Sequence, residues 1–482
     1  MIIATNTGLN KWQTLEEANA CGKVFVEHDD NAVIARLRKL AAAYDPSSGG
    51  GERPDVYLIL EDSATLWQLQ TRGLPHDLYS RLDVVATTVE DLVAKAIFVR
   101  LPGFPEVFPP LDRHPITRDS EATVHLVLVG AGRWCEALAL NTALVAHYPN
   151  YCRDTRLRTR ITVIDENIHA FRDALLQRYV HLFDNSWYRM IDLNDMAPQC
   201  YVHRPMYDGR RQDFVDVEWE FVNGRLSNSA VRQQLEQWSA SPRQQLTIAI
   251  CHDDEKRCCA DALSLPDAVL ENSVPVLCHS EHSDLLELVN DTAGDRTIRP
   301  YGRSCANLAL LKKLKQMARC VNAVYHHCFS LPQGIPVTAP ASIDLPTADR
   351  LWRDIDASPK VYSNIFSAMT MGTKMHSIGH VPDEWSSYCA LSRDEIELLT
   401  QVEHNRWSVE ELILGYRPVT DEEQQLVEAD ISQKKVLRES KIHYDLRSYD
   451  DLRQDVTGKN TKVYDLAMTQ SIPLIIKTCI TD

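Results

Sequence analysis

The sequence predicts an α/β protein whose main part is a doubly wound, parallel sheet. Three observations predict this class. Short apolar runs of strand length alternate with stretches of helical spacing between residues 23 and 300. One of these runs, Val124–Val129, ends in a glycine turn that leads into a helical stretch. After residue 375, aromatic and charged residues recur at helical spacing, which indicates a small, mainly helical C-terminal domain.

The composition excludes several classes of function. The chain has 482 residues, with 51 Lys and Arg against 67 Asp and Glu, so its formal net charge is −16. This net negative charge argues against electrostatic attraction of a nucleic acid duplex, which is itself strongly negative. An anionic ligand must therefore be attracted by local features.

The apolar runs and the cysteines indicate in which cellular compartment the protein is expected. No apolar run approaches the roughly 20 residues of a membrane-spanning helix, so we expect no membrane insertion. The N-terminus lacks the pattern of a signal peptide. The 13 cysteines include no C-x-x-C pair, which favours reduced, buried thiols. We therefore expect a soluble, cytoplasmic protein.

Proline-rich stretches divide the chain into segments. Residues 1–100 form a first α/β unit, and residues 101–118 are a proline-rich linker. Residues 119–328 form the central domain with a trailing amphipathic helix. Residues 329–374 are a second linker, and residues 375–482 form the helical C-terminal domain.

The central segment has the fuller set of strands. Six strands are predicted there: Val124–Val129, Ile161–Ile164, Val215–Phe221, Leu246–Cys251, Val274–Cys278 and Thr297–Pro300. Six strands with intervening helices are the inventory of the Rossmann arrangement. The first unit has three predicted strands, Lys23–Val26, Val56–Leu60 and Asp83–Ala86, and is therefore interpreted as a half-Rossmann unit.

The glycine turn has the position of a phosphate-binding turn. Gly130 allows a tight turn, and Gly132 lets the backbone approach a pyrophosphate at the N-terminus of the following helix. Arg133 is a candidate phosphate contact, and Trp134 either covers a base or packs in the core. The alternative is a turn that is kept only for its geometry.

Acidic residues follow two of the neighbouring strands. Asp165 and Glu166 end the second strand, where an acidic residue commonly accepts hydrogen bonds from a ribose hydroxyl. His252 to Glu255 follow the fourth strand and are interpreted as a cap for the next helix, with a base or metal site as the alternative. No metal site is predicted.

The motifs VHLVLVGAGRW and TVIDEN, with the strands between about 120 and 300, resemble the nucleotide-binding domain of the Trk and regulator-of-potassium-conductance (RCK) families. The resemblance implies a TrkA-N-like Rossmann fold. It also implies NAD(H) or an adenine nucleotide such as ATP or ADP, bound as a regulatory ligand without turnover.

The strongest pattern lies in the C-terminal segment. His404 and Trp407 are three residues apart and share a helix face, with Glu411 one turn further. Gly415 and Tyr416 end this helical stretch. From spacing alone, the simpler interpretation is a helical domain in which Trp407 and the tyrosines fill the core.

The order H-x-x-W, Gly plus an aromatic, H-x-x-L, Y-x-x-L and a final Tyr-Asp helix resembles the ryanodine-receptor (RyR) repeat, although Tyr444 replaces a usual proline. The resemblance implies an adenine-nucleotide pocket in which Trp407 stacks on the base. The implied ligand-binding residues are His404, Arg406, Trp407, Tyr416, His443 and Tyr464.

No catalytic motif was found, so the leading hypothesis is a non-enzymatic sensor of a nucleotide-type small molecule, in bacterial signalling or antiviral defence as the resemblance implies. The RyR-type domain would bind the signal, and the Rossmann domain would bind its own nucleotide. One alternative is an NAD-dependent enzyme that uses the Gly130 turn and Asp165. Another is an assembly protein with vestigial pockets. A homodimer through the first unit is expected.

Overall fold

The computed structural model of the protein confirms the α/β class, since two main β-sheets are surrounded by helices and the larger sheet is mostly parallel. The described residues are 1–5, 24–44, 53–193, 199–205, 213–281, 286, 298–331, 338–355, 358–380, 390–452 and 461–480. Within these ranges, no helix combines the length and the apolar character needed to cross a membrane.

The first α/β unit has a small parallel sheet. Its strands are β1 (Ile2–Thr5), β2 (Val24–Glu27), β3 (Asp55–Leu60) and β4 (Asp83–Thr88). Its helices are α1 (Asp30–Ala43), α2 (Ser63–Arg72), α3 (His76–Tyr79) and α4 (Val89–Phe98). The sheet order is β2-β1-β3-β4. The three predicted strands are present, and β1 was missed because a four-residue apolar run is too short to show a periodicity.

The central sheet has eight strands. They are β5 (Thr123–Val129), β6 (Thr159–Asp165), β7 (Trp187–Asp192), β8 (Gln199–His203), β9 (Val217–Asn223), β10 (Gln244–Ile250), β11 (Val276–His279) and β12 (Ile298–Tyr301). The order β12-β11-β10-β5-β6-β9-β7-β8 contains the six predicted strands in the Rossmann sequence. Strands β7 and β8 extend one edge, where β8 is antiparallel. Most of their described residues are half-exposed or exposed, and Arg189 interrupts the apolar run of β7, so neither strand has the pattern of a buried strand.

Helices cover both faces of the central sheet and make up the C-terminal part. The central helices are α5 (Arg133–Val145), α6 (Asn150–Arg153), α7 (Ile168–Arg178), α8 (Val180–Asn185), α9 (Ser229–Ser239), α10 (Glu255–Leu263) and α11 (Asp267–Glu271). The remaining elements are α12 (Leu308–Ser330), α13 (Leu345–Arg353), α14 (Ser358–Met369), α15 (Met371–Ser377), α16 (Arg393–Ile413), β13 (Arg417–Pro418), α17 (Asp421–Ala429), α18 (Gln433–Glu439), β14 (Ile442–His443) and α19 (Lys462–Ile480).

The segment predicted as the second linker contains two helices, α13 and α14. Trp352 and Tyr362 on these helices are buried, and the hydroxyl oxygen of Tyr362 accepts a hydrogen bond from the N–H of Ala86 at 2.8 Å. The prolines that suggested a linker lie at the start of α13 and before it, where proline is compatible with a helix start.

One apolar core connects all the predicted segments. A single cluster of buried side chains includes Ile2, Phe108, Leu126, Ile365 and Leu412, which come from the first unit, both predicted linkers, the central sheet and α16. The helices α12, α14, α16 and α19 pack against one another in this cluster. The segments therefore stabilise each other by shared burial of apolar surface.

A buried carboxylate connects the first unit to the C-terminal helices. Asp83, at the start of β4, lies 2.9 Å from the Nζ atom of Lys315 and 3.0 Å from the guanidinium of Arg319, both on α12. It also accepts a hydrogen bond from Nε1 of Trp352 at 3.1 Å. A buried charge is stable only when it is paired and hydrogen-bonded, so these partners make Asp83 a fixed contact between the parts.

Acid should weaken this contact. Burial opposes the ionisation of Asp83, but Lys315 and Arg319 lower its pKa from 3.8 to about 2. Relative to an unfolded chain, the ionised group then contributes about 2 kcal/mol to stability at neutral pH. This contribution is complete above the unfolded pKa and disappears as the pH falls towards the folded pKa. We expect Asp83→Asn to lower the free energy of unfolding by about 2 kcal/mol near neutral pH, by roughly half as much at about pH 3 and by little at about pH 2, measured by urea unfolding.

A matched control is Asp349→Asn, because Asp349 pairs with the same Arg319 but its side chain is 41% exposed. Surface pairs contribute roughly 0–1 kcal/mol, so this variant should differ little from the wild type. A stability deficit of Asp83→Asn that does not change with pH would contradict the assigned role of its charge.

Candidate functional site

The glycine turn lies where the sequence predicts it, between β5 and α5. Gly130 has a φ of +107°, which is unfavourable for other residues, and its N–H donates to the carbonyl oxygen of Ile164 at 3.0 Å. Gly132 is the cap residue at the start of α5. The turn therefore has the backbone shape of a phosphate-binding turn.

Side chains of the loop after β10 lie against this turn. A Cβ atom at Gly130 would come within 2.6 Å of Nδ1 of His252, and one at Gly132 within 3.1 Å of the carboxylate of Asp253. The N–H of Ala131 donates to Oδ2 of Asp165 at 3.2 Å. The position that a pyrophosphate would occupy is thus lined by the carboxylates of Asp165 and Asp253. The amide of Ala131 in the turn already donates to one of them.

The other predicted residues of this site also have intramolecular partners. Arg133 is 3.7 Å from Glu90 on α4. Trp134 is buried, and its ring centroid lies 4.5 Å from that of His279. Trp134 therefore packs in the core and does not cover an open crevice.

Glu166 belongs to a surface charge cluster. Its carboxylate pairs with Arg225 and lies 3.4 Å from Arg257. Asp254, in the loop after β10, caps α10 by accepting from the N–H of Lys256 at 3.0 Å, which confirms the predicted cap. A pyrophosphate at the glycine turn would meet the carboxylates of Asp165 and Asp253, which are like charges.

The C-terminal pattern forms a cluster of rings on α16 and β14. The partly exposed Trp407 has a ring centroid 5.5 Å from that of His404 and 4.8 Å from that of His443. The Tyr416 ring lies 6.0 Å from the His443 ring. Burial lowers the pKa of His443 to about 3, so this imidazole is neutral. The structure thus brings four of the six predicted residues together.

A buried acid lies beside these rings. Glu411, one turn after Trp407, is only 4% exposed, and its Oε2 atom has no hydrogen-bond partner among the described residues. Burial raises the pKa of Glu411, whereas the positive charges of Arg438 and Lys441 and a hydrogen bond between its carboxylate and the Trp407 side chain oppose this rise. An unpaired buried carboxylate oxygen is costly unless a donor reaches it.

Two cations border the same cluster. The Nζ atom of Lys441 lies 4.1 Å from the centroid of the Tyr416 ring and donates to the carbonyl oxygen of Leu414 at 3.2 Å. Lys441 has a φ of +61°, and burial lowers its pKa to about 8. Arg438 is exposed and hydrogen-bonds to Tyr416. We name Trp407, Glu411, Tyr416, Lys441 and His443 the Trp407 pocket.

His404 and Tyr464 have other partners at the edge of the pocket. The Nδ1 atom of His404 is 3.1 Å from Asp465, and its Nε2 atom is 2.7 Å from the carbonyl oxygen of Arg447. Tyr464 packs its ring 4.7 Å from the Phe329 ring. His404 is therefore held in one orientation, and Tyr464 contacts the end of α12.

Arg406 points away from the pocket. It has no exposed side-chain surface, and its guanidinium is hydrogen-bonded to both carboxylate oxygens of Glu403 at 2.8 and 3.0 Å and to Glu410. Lys374 also pairs with Glu403. Arg406 is adjacent to Trp407 in sequence, but successive residues of a helix differ by about 100° in direction.

A second cleft, which no sequence pattern indicated, lies between the first unit and α5. It encloses about 600 Å³, including its open mouth, and Trp67, Leu140 and Phe366 form apolar walls. Three of the carboxylates around it are paired: Glu90 with Arg133, Asp91 with Lys95, and Glu136 with Arg178. Most of the charge in this cleft is thus neutralised within the protein.

The strand order and the turn between β5 and α5 define a Rossmann-like α/β protein. Comparisons with protein-family models, with curated proteins and with solved structures give no match. The function is therefore inferred from the chemistry of the sites themselves.

The two glycines should differ in their tolerance of a side chain. Gly130→Ala combines a positive φ with a clash against His252, so we expect it to lower the free energy of unfolding by about 2–4 kcal/mol. At Gly132 the φ is extended and the nearest atoms are the end of the exposed Asp253 side chain, so Gly132→Ala should cost less than about 1 kcal/mol. Equal losses in urea unfolding would contradict this reading of the turn.

Removal of Arg406 should destabilise the fold. Arg406→Ala leaves the buried carboxylates of Glu403 and Glu410 without their main partner, which typically costs about 3–5 kcal/mol. Arg417→Ala is the control, because its pair with Glu423 is partly exposed and should contribute roughly 0–1 kcal/mol. Urea unfolding of both variants checks this, and a fully stable Arg406→Ala protein would show that the pairs are not structural.

Proposed function

We propose that this protein is a non-enzymatic sensor that binds a nucleotide-type ligand in the Trp407 pocket of its helical C-terminal part. The observation that carries the proposal is the buried carboxylate of Glu411, with an oxygen that has no partner among the described residues, beside a partly exposed tryptophan. A ligand whose ring carries N–H groups could stack on Trp407 and also donate a hydrogen bond to Glu411.

Stacking supplies the first part of the binding energy. An aromatic side chain stacked on a base contributes about 1–3 kcal/mol. The rings of His404 and His443 contact Trp407, and His404 is itself fixed by Asp465. The tryptophan therefore loses little conformational freedom when a base stacks on it.

Lys441 and Arg438 supply the second part of the binding energy, through their positive charge. Both lie next to Tyr416 and Glu411, so positive charge is concentrated at one side of the pocket in a chain whose net charge is −16. A phosphate group attached to the base could pair with these cations. The charge arrangement thus favours a nucleotide over a free base.

The end of α16 offers a route from the pocket to the rest of the molecule. The Nε1 atom of Trp67, on α2 of the first unit, donates to the carbonyl oxygen of Ile413 at 3.0 Å. Ile413 lies two residues after Glu411 on α16. A ligand that moves the end of α16 would change this contact, which is how a sensor could couple binding to the α/β units.

The resemblance of this segment to the RyR repeat supports the same pocket, and the Rossmann-like sheet is the core on which the helices pack. NAD(H), ATP or ADP at the glycine turn stays a prediction, as do the homodimer and the role in bacterial signalling or defence. The enzyme alternative requires Asp165 to contact a cofactor, whereas its carboxylate accepts from the N–H of Ala131 in the turn and from the N–H of Asn167.

The test is binding of nucleotides to the wild type and to two variants of Trp407. Trp407→Ala removes the stacking surface, so we expect the dissociation constant to rise by about 5- to 150-fold, the equivalent of roughly 1–3 kcal/mol. Trp407→Phe keeps a ring and should lose much less. Isothermal titration with purine mono- and diphosphates, NAD and ADP-ribose measures the constants, and circular dichroism checks the fold. Unchanged binding by Trp407→Ala would exclude the pocket.

A further inference from the structure

The cleft between the first unit and α5 contains one carboxylate that no cation neutralises. Three of its carboxylates are paired, as described above, whereas Glu61, which also lines the cleft, has no ion pair or side-chain hydrogen bond among the described residues. The N–H of Glu61 donates to Oδ1 of Asp30 at 2.8 Å, so the backbone at this end of β3 is fixed. The carboxylate of Glu61 is therefore left for a partner from outside the protein.

Two further carboxylates lie close to Glu61. Asp30 also accepts from the N–H of Asp62 at 3.0 Å, and Asp62 itself caps the start of α2. Burial raises the pKa of Asp30, and the negative charges of Asp62 and Glu61 raise it further. Negative charge is thus concentrated beside the cleft, so electrostatic attraction there favours a cation over an anion.

A buried amide in the wall of the cleft lacks a donor. Asn141 is 2% exposed, and its Nδ2 atom donates to Oδ1 of Asp91 at 3.0 Å and to the carbonyl oxygen of Ala137 at 2.9 Å. Both partners are acceptors, so they determine which end of the amide is the nitrogen. The Oδ1 atom remains an acceptor, and it has no partner in the part of the chain that the structure describes. An N–H group of a ligand is the kind of group that this wall lacks.

The other walls of the cleft are apolar and aromatic. Leu66, Leu140 and Phe366 contribute apolar surface. The rings of Trp67 and Tyr179 meet edge to face, with their centroids 6.1 Å apart. Walls of this kind bind the apolar body of a small molecule, and aromatic faces also attract cations. The ligand that suits the cleft therefore combines an apolar body with a positive charge.

We infer that this cleft is a second ligand site, which binds a small organic amine: a protonated primary amino group attached to an apolar chain or ring. Glu61 supplies the charge that pairs with the ammonium group, and Asn141 supplies an uncharged acceptor. A primary ammonium group has three N–H donors and accepts nothing, which suits walls whose unmatched groups are acceptors. The site is separate from the Trp407 pocket and does not require a nucleotide there.

Three probes of similar size and different charge test the wild-type protein: 2-phenylethylamine, 2-phenylethanol and 3-phenylpropionate. At about pH 7 the first is a cation, the second is neutral and the third is an anion. We expect the amine to bind at least about fivefold more tightly than the alcohol, because it gains a charge-assisted contact at a partly exposed group. The propionate should bind more weakly than both. Ligand-observed NMR titrations of the full chain measure the dissociation constants.

Two variants locate the amine in the cleft. Glu61→Gln keeps the shape of the side chain and removes its charge, so the dissociation constant of the amine should rise by about 5- to 10-fold. Ala137→Phe places a ring in the cleft and should abolish binding of the amine, with circular dichroism as the check of the fold. Asp77→Asn is the matched control for charge, since Asp77 is an exposed residue of the first unit that does not line the cleft.

The outcomes separate this inference from the proposed function. A preference for the amine that decreases in Glu61→Gln and persists in Asp77→Asn supports the inference. Absence of amine binding, or equal binding of the three probes, overturns it. Equal losses in Glu61→Gln and Asp77→Asn also overturn it, because the amine would then respond only to the overall charge. Unchanged binding by a folded Ala137→Phe protein, or loss of amine binding in Trp407→Ala, would place the amine outside the cleft and overturn it as well.

Discussion

A guanidinium without solvent contact determines how the C-terminal half is arranged. Arg406 can be buried only because Glu403 and Glu410 from its own helix surround it, and Glu403 in turn requires Lys374 from α15. Burial of such a group without its partners would cost several kcal/mol. The helix α16 therefore has one acceptable rotation about its axis, and every other side chain on it takes its direction from that rotation.

The face that carries the candidate site is a consequence of this constraint. With Glu403, Arg406 and Glu410 directed into the bundle, Trp407 and Glu411 come to lie on the neighbouring face, towards β14. A stable ionic core on one side thus positions an incompletely satisfied acid on the other. Functional groups with unsatisfied polar atoms depend on such support, because the rest of the fold must compensate for their cost.

The sequence predicts those features that repeat along the chain better than those that depend on a distant partner. The six strands of the central sheet were predictable because buried parallel strands are continuous apolar runs. The spacing of Trp407 and Glu411 likewise placed them on one face. The glycine turn illustrates the limit: Gly130 is visible in the sequence, but His252, which lies against it, is more than a hundred residues away. Arg406 was misassigned for the same reason, since its partners and not its position decide which way it points.

The shared core has a consequence for how such a chain can vary. Side chains from β1, from the proline-rich segment and from α16 meet in one apolar cluster, and Asp83 connects the first unit to α12. An exchange of any one segment with another protein would expose apolar surface and buried charge in the part left behind. The parts of this chain are therefore expected to have been inherited together.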